Sequence, residues 1–184
     1  MPSPIAHVAV AVAAALAAPD GSPLRARSAV LAAAVASLLP DLDLLAAATL
    51  PGGIEWHHGP THSLLGAGFL AFAFGLAVGL RGAPLLWTMF CGFLHPILDW
   101  ELGVPGGPST FGVPLFWPMI ATKFIAPYPL FRPFNIHEAG FITNMFTPAA
   151  LGPYLRELVF AAVVLGYVRF TRGRFRVLPR RAQR

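Results

Sequence analysis

At the centre of the sequence stands Trp56-His57-His58-Gly59-Pro60-Thr61-His62-Ser63, which contains three of the chain's six histidines. The apolar run that follows, Leu64 to Leu80, carries no charged residue. Pro60 suits the first turn of a helix, where its missing N–H leaves no hydrogen bond unmade, so His62 is predicted to project from that turn. A polar helix start at a membrane surface explains one such histidine, whereas a metal site needs partner ligands elsewhere in the chain.

The composition is that of an integral membrane protein. Of the 184 residues, 56% are hydrophobic and 11% are charged, and the mean hydropathy is +0.65. So few charges cannot cover a soluble globule of this size. The length suits one helix bundle, and we expect a single integral-membrane domain over residues 1–184. The single cysteine, Cys91, can form no disulfide within the chain.

Five apolar runs predict an all-α, polytopic membrane bundle of about five helices. They cover residues 4–19, 28–39, 64–80, 83–100 and 155–170. Between the last two runs, Pro, Gly and aromatic residues break the pattern over residues 102–150. This favours short interfacial helices on the outer face of the membrane.

The charge distribution predicts the orientation. Seven arginines crowd a basic tail at residues 169–184, and ten of the 13 Lys and Arg residues lie in this tail or in the turns after the first and third helices. By the positive-inside rule these positions are cytoplasmic, so we expect a multi-pass protein of the cell (inner or plasma) membrane. A basic tail directly after a membrane helix is typical of an anchor to anionic lipid, so no nucleic-acid partner is expected. The oligomeric state does not follow from the sequence.

Threading the helices in that orientation brings ligand-type residues from four helices to the outer face. His7 begins the first helix, Asp41 and Asp43 end the second, the histidine stretch begins the third, and His95 and Asp99 end the fourth. His95 and Asp99 are i and i+4, so both side chains leave one face of a helix and can reach one ion. Charged side chains at membrane depth are costly unless bound or hydrated, which favours a shared metal site.

The combination of motifs resembles a known family. An early His, Leu-Pro-Asp-Leu-Asp at 39–43, His-x-Gly-x-Thr-His-Ser at 57–63, His-x-x-x-Asp at 95–99 and Gly-Val-Pro-Leu-x-Trp-Pro at 112–118 look like the YdjM-like membrane-bound metal-dependent hydrolases of bacteria and archaea. Relatives usually carry Arg at the position of His58.

The order of the ligands is also similar to that of zinc-dependent phospholipase C and the related zinc nucleases, which hydrolyse phosphoesters. By that likeness one aspartate bridges two ions, and the metal ligands are His7, Asp41 or Asp43, His62, His95 and Asp99. Asp43 is therefore a candidate ligand, and if it does not bind the ion its carboxylate is a candidate general base.

The residues themselves support the same chemistry. Mixed imidazole and carboxylate ligands suit one or two Zn²⁺ ions, with Mn²⁺ or Fe²⁺ as alternatives, and such an ion lowers the pKa of bound water to about 7. We therefore expect a metal-dependent hydrolase that cleaves a lipid-borne ester, foremost a phosphoester. Asp43 would act as general base, and His57 or His58 would donate to the leaving group or to the substrate anion. Lys123 and Arg132 would hold the phosphate.

The main alternative is a metal-binding transport or sensing protein without hydrolytic activity. Such a protein is expected to carry ligand-type residues at the midplane or on both faces, whereas the inner halves of these helices are almost purely Ala, Val, Leu, Phe and Gly. A membrane lipid is therefore the predicted substrate as well as the environment. His137 and Glu138 are expected to be solvated interface residues.

Overall fold

Helices form nearly all the regular structure that the computed structural model describes, which covers residues 4–51, 57–100, 112–127 and 146–175. The α-helices are α1 Pro4–Ala17, α2 Arg27–Ala36, α3 Asp43–Thr49, α4 Leu64–Ala77, α5 Gly82–Trp100 and α6 Leu151–Phe175. Short 3₁₀ turns cover Pro23–Arg25, Leu39–Leu42, Pro60–His62 and Pro148–Ala150. Within these ranges the β contact is one isolated bridge, between Val113 and Phe124. The all-α prediction is therefore confirmed.

Proline and serine set the chain path around the start of α4. Pro40 and Pro60 each lie at the start of a 3₁₀ turn, where no backbone N–H is needed. Ser63 then caps α4, because its Oγ accepts a hydrogen bond from Gly66 N at 2.9 Å. His62 therefore projects from the turn before α4, as Pro60 indicates.

Small residues let α4 and α5 pack closely. A Cβ added to Gly92 would lie 2.6 Å from the carbonyl oxygen of Ala67 and 2.5 Å from the Cβ of Ala71. Close backbone approach through small residues is how apolar helices associate where water does not drive them together. This pairing sets the end of α5, which carries His95 and Asp99, beside the start of α4.

Helix α6 runs parallel to α1 and contacts it at both ends. At the start, Glu157 Oε2 accepts a hydrogen bond from the backbone N–H of Ala6 at 3.2 Å. A carboxylate at this position complements the helix dipole and pairs an N–H that the first turn of a helix leaves unbonded. At the far end, Arg172 donates to the carbonyl of Ala18 and lies 3.2 Å from Asp20. Sequence reasoning missed Glu157, although a carboxylate within a largely apolar helix indicates a polar partner, and the structure shows that Glu157 is buried.

One helix of the described residues is long and apolar enough by itself to cross a membrane, over Leu151–Arg172. Helix α6 has 25 residues, or about 37 Å, whereas α1 and α4 have 14 each, or about 21 Å, against a hydrocarbon core of about 30 Å. Arg27–Ala36 and Leu39–Ala46 qualify only together, and they are bent by 51°. The prediction of about five membrane helices is therefore wrong for this part of the chain, because hydropathy detects apolar runs and not the length of unbroken helix.

Within the Pro/Gly/aromatic segment, residues 112–127 form a hairpin where short helices were predicted, and Pro148–Ala150 forms a short 3₁₀ turn. Two backbone hydrogen bonds of 2.9 Å join Val113 and Phe124. Leu64, the first residue of α4, donates to the carbonyl of Leu115 at 3.0 Å, and the last residue of α5 accepts from Ala126 at 3.2 Å. The hairpin is thus tied to the start of α4, which follows His62, and to the end of α5, which carries His95 and Asp99.

Candidate metal centre

Four ligand-type side chains from three parts of the fold converge at one end of the bundle. They are Asp41 from the turn after α2, His62 from the turn before α4, and His95 and Asp99 from α5. The i, i+4 spacing on α5 sets His95 Nε2 3.0 Å from Asp99 Oδ2. Three of the side chains are fully buried, and that of Asp41 is 12% exposed. We call this set the four-ligand group.

The ligand atoms of the group lie at the separations expected around one ion. His62 Nε2 is 3.2 Å from His95 Nε2 and 3.3 Å from Asp99 Oδ2, and Asp41 Oδ1 is 3.5 Å from each of the two imidazole nitrogens. Ligands at about 2.0–2.1 Å from a tetrahedral ion are about 3.3–3.4 Å apart. Together with the 3.0 Å between His95 and Asp99, these five separations are close to the edges of such a tetrahedron.

The carboxylates of this group are buried beside imidazoles without well-formed hydrogen bonds among the described residues. The oxygens of Asp41 and Asp99 are close to imidazole nitrogens, but none has a hydrogen bond of proper geometry among the described residues. A buried carboxylate without a partner costs on the order of several kcal/mol. The residues present therefore fit a divalent cation, and a set of two imidazoles and two carboxylates suits Zn²⁺, Mn²⁺ or Fe²⁺.

Hydrogen-bond acceptors behind the two histidines orient them toward the group. His95 Nδ1 lies 2.7 Å from the carbonyl oxygen of Ser37, which turns Nε2 toward the other ligand atoms. His62 Nδ1 lies 3.0 Å from Asp43 Oδ2. Such partners fix the tautomer and raise the basicity of a ligating histidine.

Both oxygens of Asp43 have close partners outside the four-ligand group. Oδ1 lies 2.7 Å from His57 Nδ1, and Oδ2 accepts a hydrogen bond from Thr61 Oγ1 at 2.8 Å in addition to its approach to His62. Sequence spacing left Asp41 and Asp43 as alternative ligands. The structure brings Asp41 into the four-ligand group and sets Asp43 behind His62.

The remaining described histidines surround the group. His7 stacks on His95 with ring centroids 4.0 Å apart and an interplanar angle of 16°, and its Nε2 is 3.6 Å from Asp99 Oδ1. His58 Nε2 is 4.0 Å from Asp99 Oδ2, and neither ring nitrogen of His58 has a hydrogen-bond partner in the described part of the chain. The φ of His58 is 55°, a conformation that is uncommon for a non-glycine residue and recurs at functional sites.

Burial and neighbouring charges shift the protonation of the histidine stretch. Burial lowers the pKa of His58 well below its ordinary value, and the rings of His57 and His62 lower it further. Burial also lowers the pKa of His57, although Asp43 opposes the shift. Burial acts to lower the pKa of His62 as well, but the neighbouring carboxylates of Asp41 and Asp43 outweigh it and raise the pKa of this imidazole. The carboxylate side of the cluster therefore stabilises positive charge, whereas His58 is neutral at pH 7.

Lys123 lies in the hairpin, within electrostatic reach of Asp43. Its side chain is half-buried, and burial lowers the pKa of Lys123 while the charge of Asp43 opposes that shift. The chain passes close to Gly112 here, where an added Cβ would lie 2.7 Å from the Cβ of Lys123. Arg132, the other predicted phosphate-binding residue, lies outside the described residues, as do His137 and Glu138.

Comparison with known proteins gives one match. The chain matches no curated protein and no solved structure. A family model, that of the YdjM inner membrane protein, matches residues 1–175, which include every residue of the four-ligand group. The family description gives a location in the inner membrane and names no reaction. The match agrees with the resemblance seen in the motifs, and the chain belongs to the YdjM inner membrane protein family.

Proposed function

We propose that this protein is a membrane-bound, metal-dependent hydrolase that cleaves a phosphoester carried by a membrane lipid. The observation that supports it most is the four-ligand group, in which His62 and His95 lie 3.0–3.5 Å from the other ligand atoms and the two buried carboxylates lack hydrogen bonds among the described residues. Zinc suits this donor set, with Mn²⁺ or Fe²⁺ as alternatives. Such an ion lowers the pKa of bound water to about 7 and polarises a phosphoryl oxygen.

The residues of the chain divide into ligands and supports. Asp41, His62, His95 and Asp99 would hold an ion. Asp43 would position His62 and His57, because its oxygens lie 2.7 Å from His57 Nδ1 and 3.0 Å from His62 Nδ1. This role replaces that of a general base, which needs an oxygen directed at the substrate.

His58 is the residue best placed to move a proton. It is buried, and its ring nitrogens lack hydrogen-bond partners among the described residues. An unpaired imidazole nitrogen can take a proton from the attacking water as its oxygen bonds to phosphorus, and can return that proton to the leaving oxygen as the ester bond breaks. His57 packs on this ring with centroids 4.3 Å apart and is itself held by Asp43. We therefore assign His57 to positioning His58.

The hairpin over the site suits a substrate that stays in the bilayer. Its tip exposes large apolar side chains, each 39–69% accessible: Phe116, Trp117, Met119 and Ile120. Aromatic and aliphatic side chains of this kind favour the boundary between headgroups and acyl chains. Lys123, on the returning arm of the hairpin, would hold the phosphate through a charge-assisted hydrogen bond. Arg132 stays a sequence-based prediction for the same task.

We assign the site to the outer face of the membrane. Helix α6 begins beside the site, since Glu157 contacts Ala6 next to His7, and it continues into the basic tail of residues 169–184. The positive-inside rule assigns that tail to the cytoplasm, so one crossing by α6 leaves the site outside. An impermeant thiol reagent applied to intact cells should label Met119→Cys and not Arg25→Cys. The reverse labelling pattern would contradict this orientation.

Hydrolysis of a lipid headgroup panel tests the reaction. Zinc-loaded protein in nanodiscs is expected to cleave a phospholipid or a polyprenyl phosphate. The activity should be lost with a chelator and in His95→Ala, and kept in Asp20→Asn, which changes an exposed carboxylate at the other end of the bundle. If a zinc-replete sample cleaves no lipid phosphoester on the panel, the proposed function is wrong even though the metal site stands.

The same preparation also tests the transport alternative. A transport path needs ligand-type residues along the bundle, but α1, α2 and α4 contain no His, Asp or Glu other than His7. Proteoliposomes should therefore take up no zinc beyond the amount that the protein binds. Sustained zinc uptake without lipid cleavage would favour the alternative.

A further inference from the structure

Three histidines of the loop before α4 form a second set of converging ligand-type side chains. His57, His58 and His62 are buried, and one ring nitrogen of each lies within 4.8 Å of the other two. Their ring centroids are 4.3–4.8 Å apart. All three belong to the stretch of residues 57–62, so one short loop supplies the whole set. We call this set the three-histidine group.

His58 is the member of this group that most needs a partner. Neither of its ring nitrogens has a hydrogen bond among the described residues, although the residue is only 3% exposed. Its φ of 55° lies in the left-handed region, and such a conformation persists where the surrounding structure fixes the residue in one place. A buried polar group without a partner is unfavourable, and a cation bound to a ring nitrogen would offset that cost.

Asp43 supports the other two imidazoles. Its Oδ1 lies 2.7 Å from His57 Nδ1, and its Oδ2 lies 3.0 Å from His62 Nδ1. A carboxylate at one ring nitrogen is the usual support for a histidine that binds a metal through the other. Two ligands at about 2.0–2.1 Å from one ion are at most about 4.2 Å apart, so small shifts of the rings bring this set to one ion.

The two groups differ in the ions that they suit. The four-ligand group includes two carboxylates, whereas the three-histidine group offers imidazole alone. Imidazole suits Cu²⁺, which binds most tightly among the divalent first-row ions, and carboxylates suit Mn²⁺. His62 belongs to both groups, and its Nε2 faces Asp41 and Asp99. An ion in the three-histidine group therefore competes for a ligand of the four-ligand group.

We propose that His57, His58 and His62 form a second, imidazole-only cation site that takes Cu²⁺ and competes with the four-ligand group for His62. An ion in this site has two effects, because it weakens metal binding at the four-ligand group and occupies the ring nitrogen with which His58 would move a proton. Cu²⁺ is therefore an inhibitor of hydrolysis. The inhibition rests on the proposed function, whereas the binding rests on the geometry of the three imidazoles.

Electron paramagnetic resonance of the full chain tests the site, with Cu²⁺ and Mn²⁺ added separately to chelator-stripped protein in detergent. Wild type with one equivalent of Cu²⁺ should show three nitrogen ligands, because the four-ligand group offers only two. His58→Asn removes an imidazole, and Asn tolerates a positive φ. This variant should show fewer than three nitrogens and still bind Mn²⁺. Asp41→Asn should lose Mn²⁺ and keep the three nitrogens on Cu²⁺, and His7→Asn, a matched change outside the group, should also keep them.

Two nitrogens on Cu²⁺ in the wild type would assign the ion to the four-ligand group and overturn the second site. Three nitrogens that remain in His58→Asn, or that are lost in His7→Asn or Asp41→Asn, would also overturn it. If His58→Asn does not fold, wild type and His7→Asn decide, since three nitrogens in both support the proposal and two in either overturn it.

Hydrolysis by zinc-loaded protein, with and without one equivalent of Cu²⁺, tests the inhibition. Cu²⁺ should abolish cleavage of lipid phosphoesters, and cleavage that Cu²⁺ leaves unchanged would overturn the inhibitory role. A chain that cleaves lipid and binds Cu²⁺ through two nitrogens would keep the proposed function and lose the second site. A chain that binds Cu²⁺ through three nitrogens and cleaves no lipid would keep only the second site.

Discussion

Replacing Asp43 by Asn tests whether Asp43 orients His62 or binds the metal ion directly, since its position in the sequence allowed both roles. Asp43 lies 2.7–3.0 Å from atoms of His57, Thr61 and His62 and supplies none of the four converging atoms. Asn keeps the shape of the side chain and one acceptor oxygen, but it removes the negative charge behind His62. The perturbation therefore acts on the orientation and basicity of a ligand while leaving the number of ligands unchanged.

The size of the effect follows from that difference. Loss of an outer-shell carboxylate lowers metal affinity about 10–100-fold, which corresponds to about 1.4–2.7 kcal/mol. We expect Asp43→Asn to fall in this range and to bind its ions fully once zinc is in excess. Asp41→Asn and Asp99→Asn each remove a charged ligand from the four-ligand group. Both variants should therefore lose zinc during a dialysis in which the wild type keeps it.

Competition with a chromophoric zinc chelator measures the affinity, and metal analysis after dialysis measures the occupancy. Asp20→Asn is a matched control, because Asp20 is exposed and pairs with Arg25 and Arg172 away from the site. Two results would refute the reasoning. Loss of zinc from Asp43→Asn as complete as from Asp41→Asn would make Asp43 a ligand, and an affinity equal to wild type would remove its supporting role.

Three other measurements test the fold around the site. Removal of metal by a chelator should lower the melting temperature by about 5–10 °C relative to protein with zinc at about 100-fold its Kd, and an unchanged temperature would mean that no ion stabilises the fold. Gly92→Val should destabilise the bundle by about 1–3 kcal/mol in thermal or denaturant unfolding, because its Cβ would lie 2.6 Å from the Ala67 carbonyl oxygen. At Gly166 an added Cβ meets no atom within 4 Å, so Gly166→Val should destabilise the bundle less. Glu157→Ala should lower the free energy of unfolding by about 0.5–2 kcal/mol and weaken metal binding, since it removes the acceptor for Ala6 N–H next to His7. Glu157→Gln keeps an acceptor oxygen and should lose less stability. Equal losses of stability in the two variants would contradict a capping role.

Most of the four-ligand group can be predicted from spacing. His95 and Asp99 are four residues apart, so one face of α5 presents both, and they lie 3.0 Å apart. Asp41 and His62 follow prolines that begin short turns at helix ends. Alternating directions of the apolar runs predict that these ends lie at one side of the bundle, and the four ligand atoms do lie within 4.8 Å of one another.

The choice between Asp41 and Asp43 could not be made from the sequence. The two residues are separated by one position, and side chains with that spacing on a helix point in different directions. Which of them turns inward depends on the break between α2 and α3, where Leu39–Leu42 forms a 3₁₀ turn and the chain bends by 51°. Neither hydropathy nor residue type specifies the direction of that bend.

The helical class was predictable, and the number of membrane crossings was not. Long apolar runs without β-type alternation favour helices whatever surrounds them. A crossing also requires about 20 residues of unbroken helix, and α4 ends at Ala77, after 14 residues. The contact between Glu157 and Ala6 joins residues 151 positions apart. A carboxylate in an apolar helix indicates that a polar partner exists, but only the packing of α1 against α6 identifies that partner as Ala6.

The composition of the bundle explains why a cation is expected to matter for folding as well as for chemistry. The buried faces of α1 and α2 are mostly alanine, and small side chains bring helices close while each buries little apolar area. Into this packing the chain sets Asp41 and Asp99, whose oxygens have no hydrogen bonds among the described residues. A cation that joins them to His62 and His95 stabilises their buried charges, and an unfolded chain offers no such preformed site, so the free energy of binding adds to that of folding. A cation that acts on the substrate would therefore also hold the ends of α2, α4 and α5 together, and loss of a ligand should weaken catalysis and stability at once.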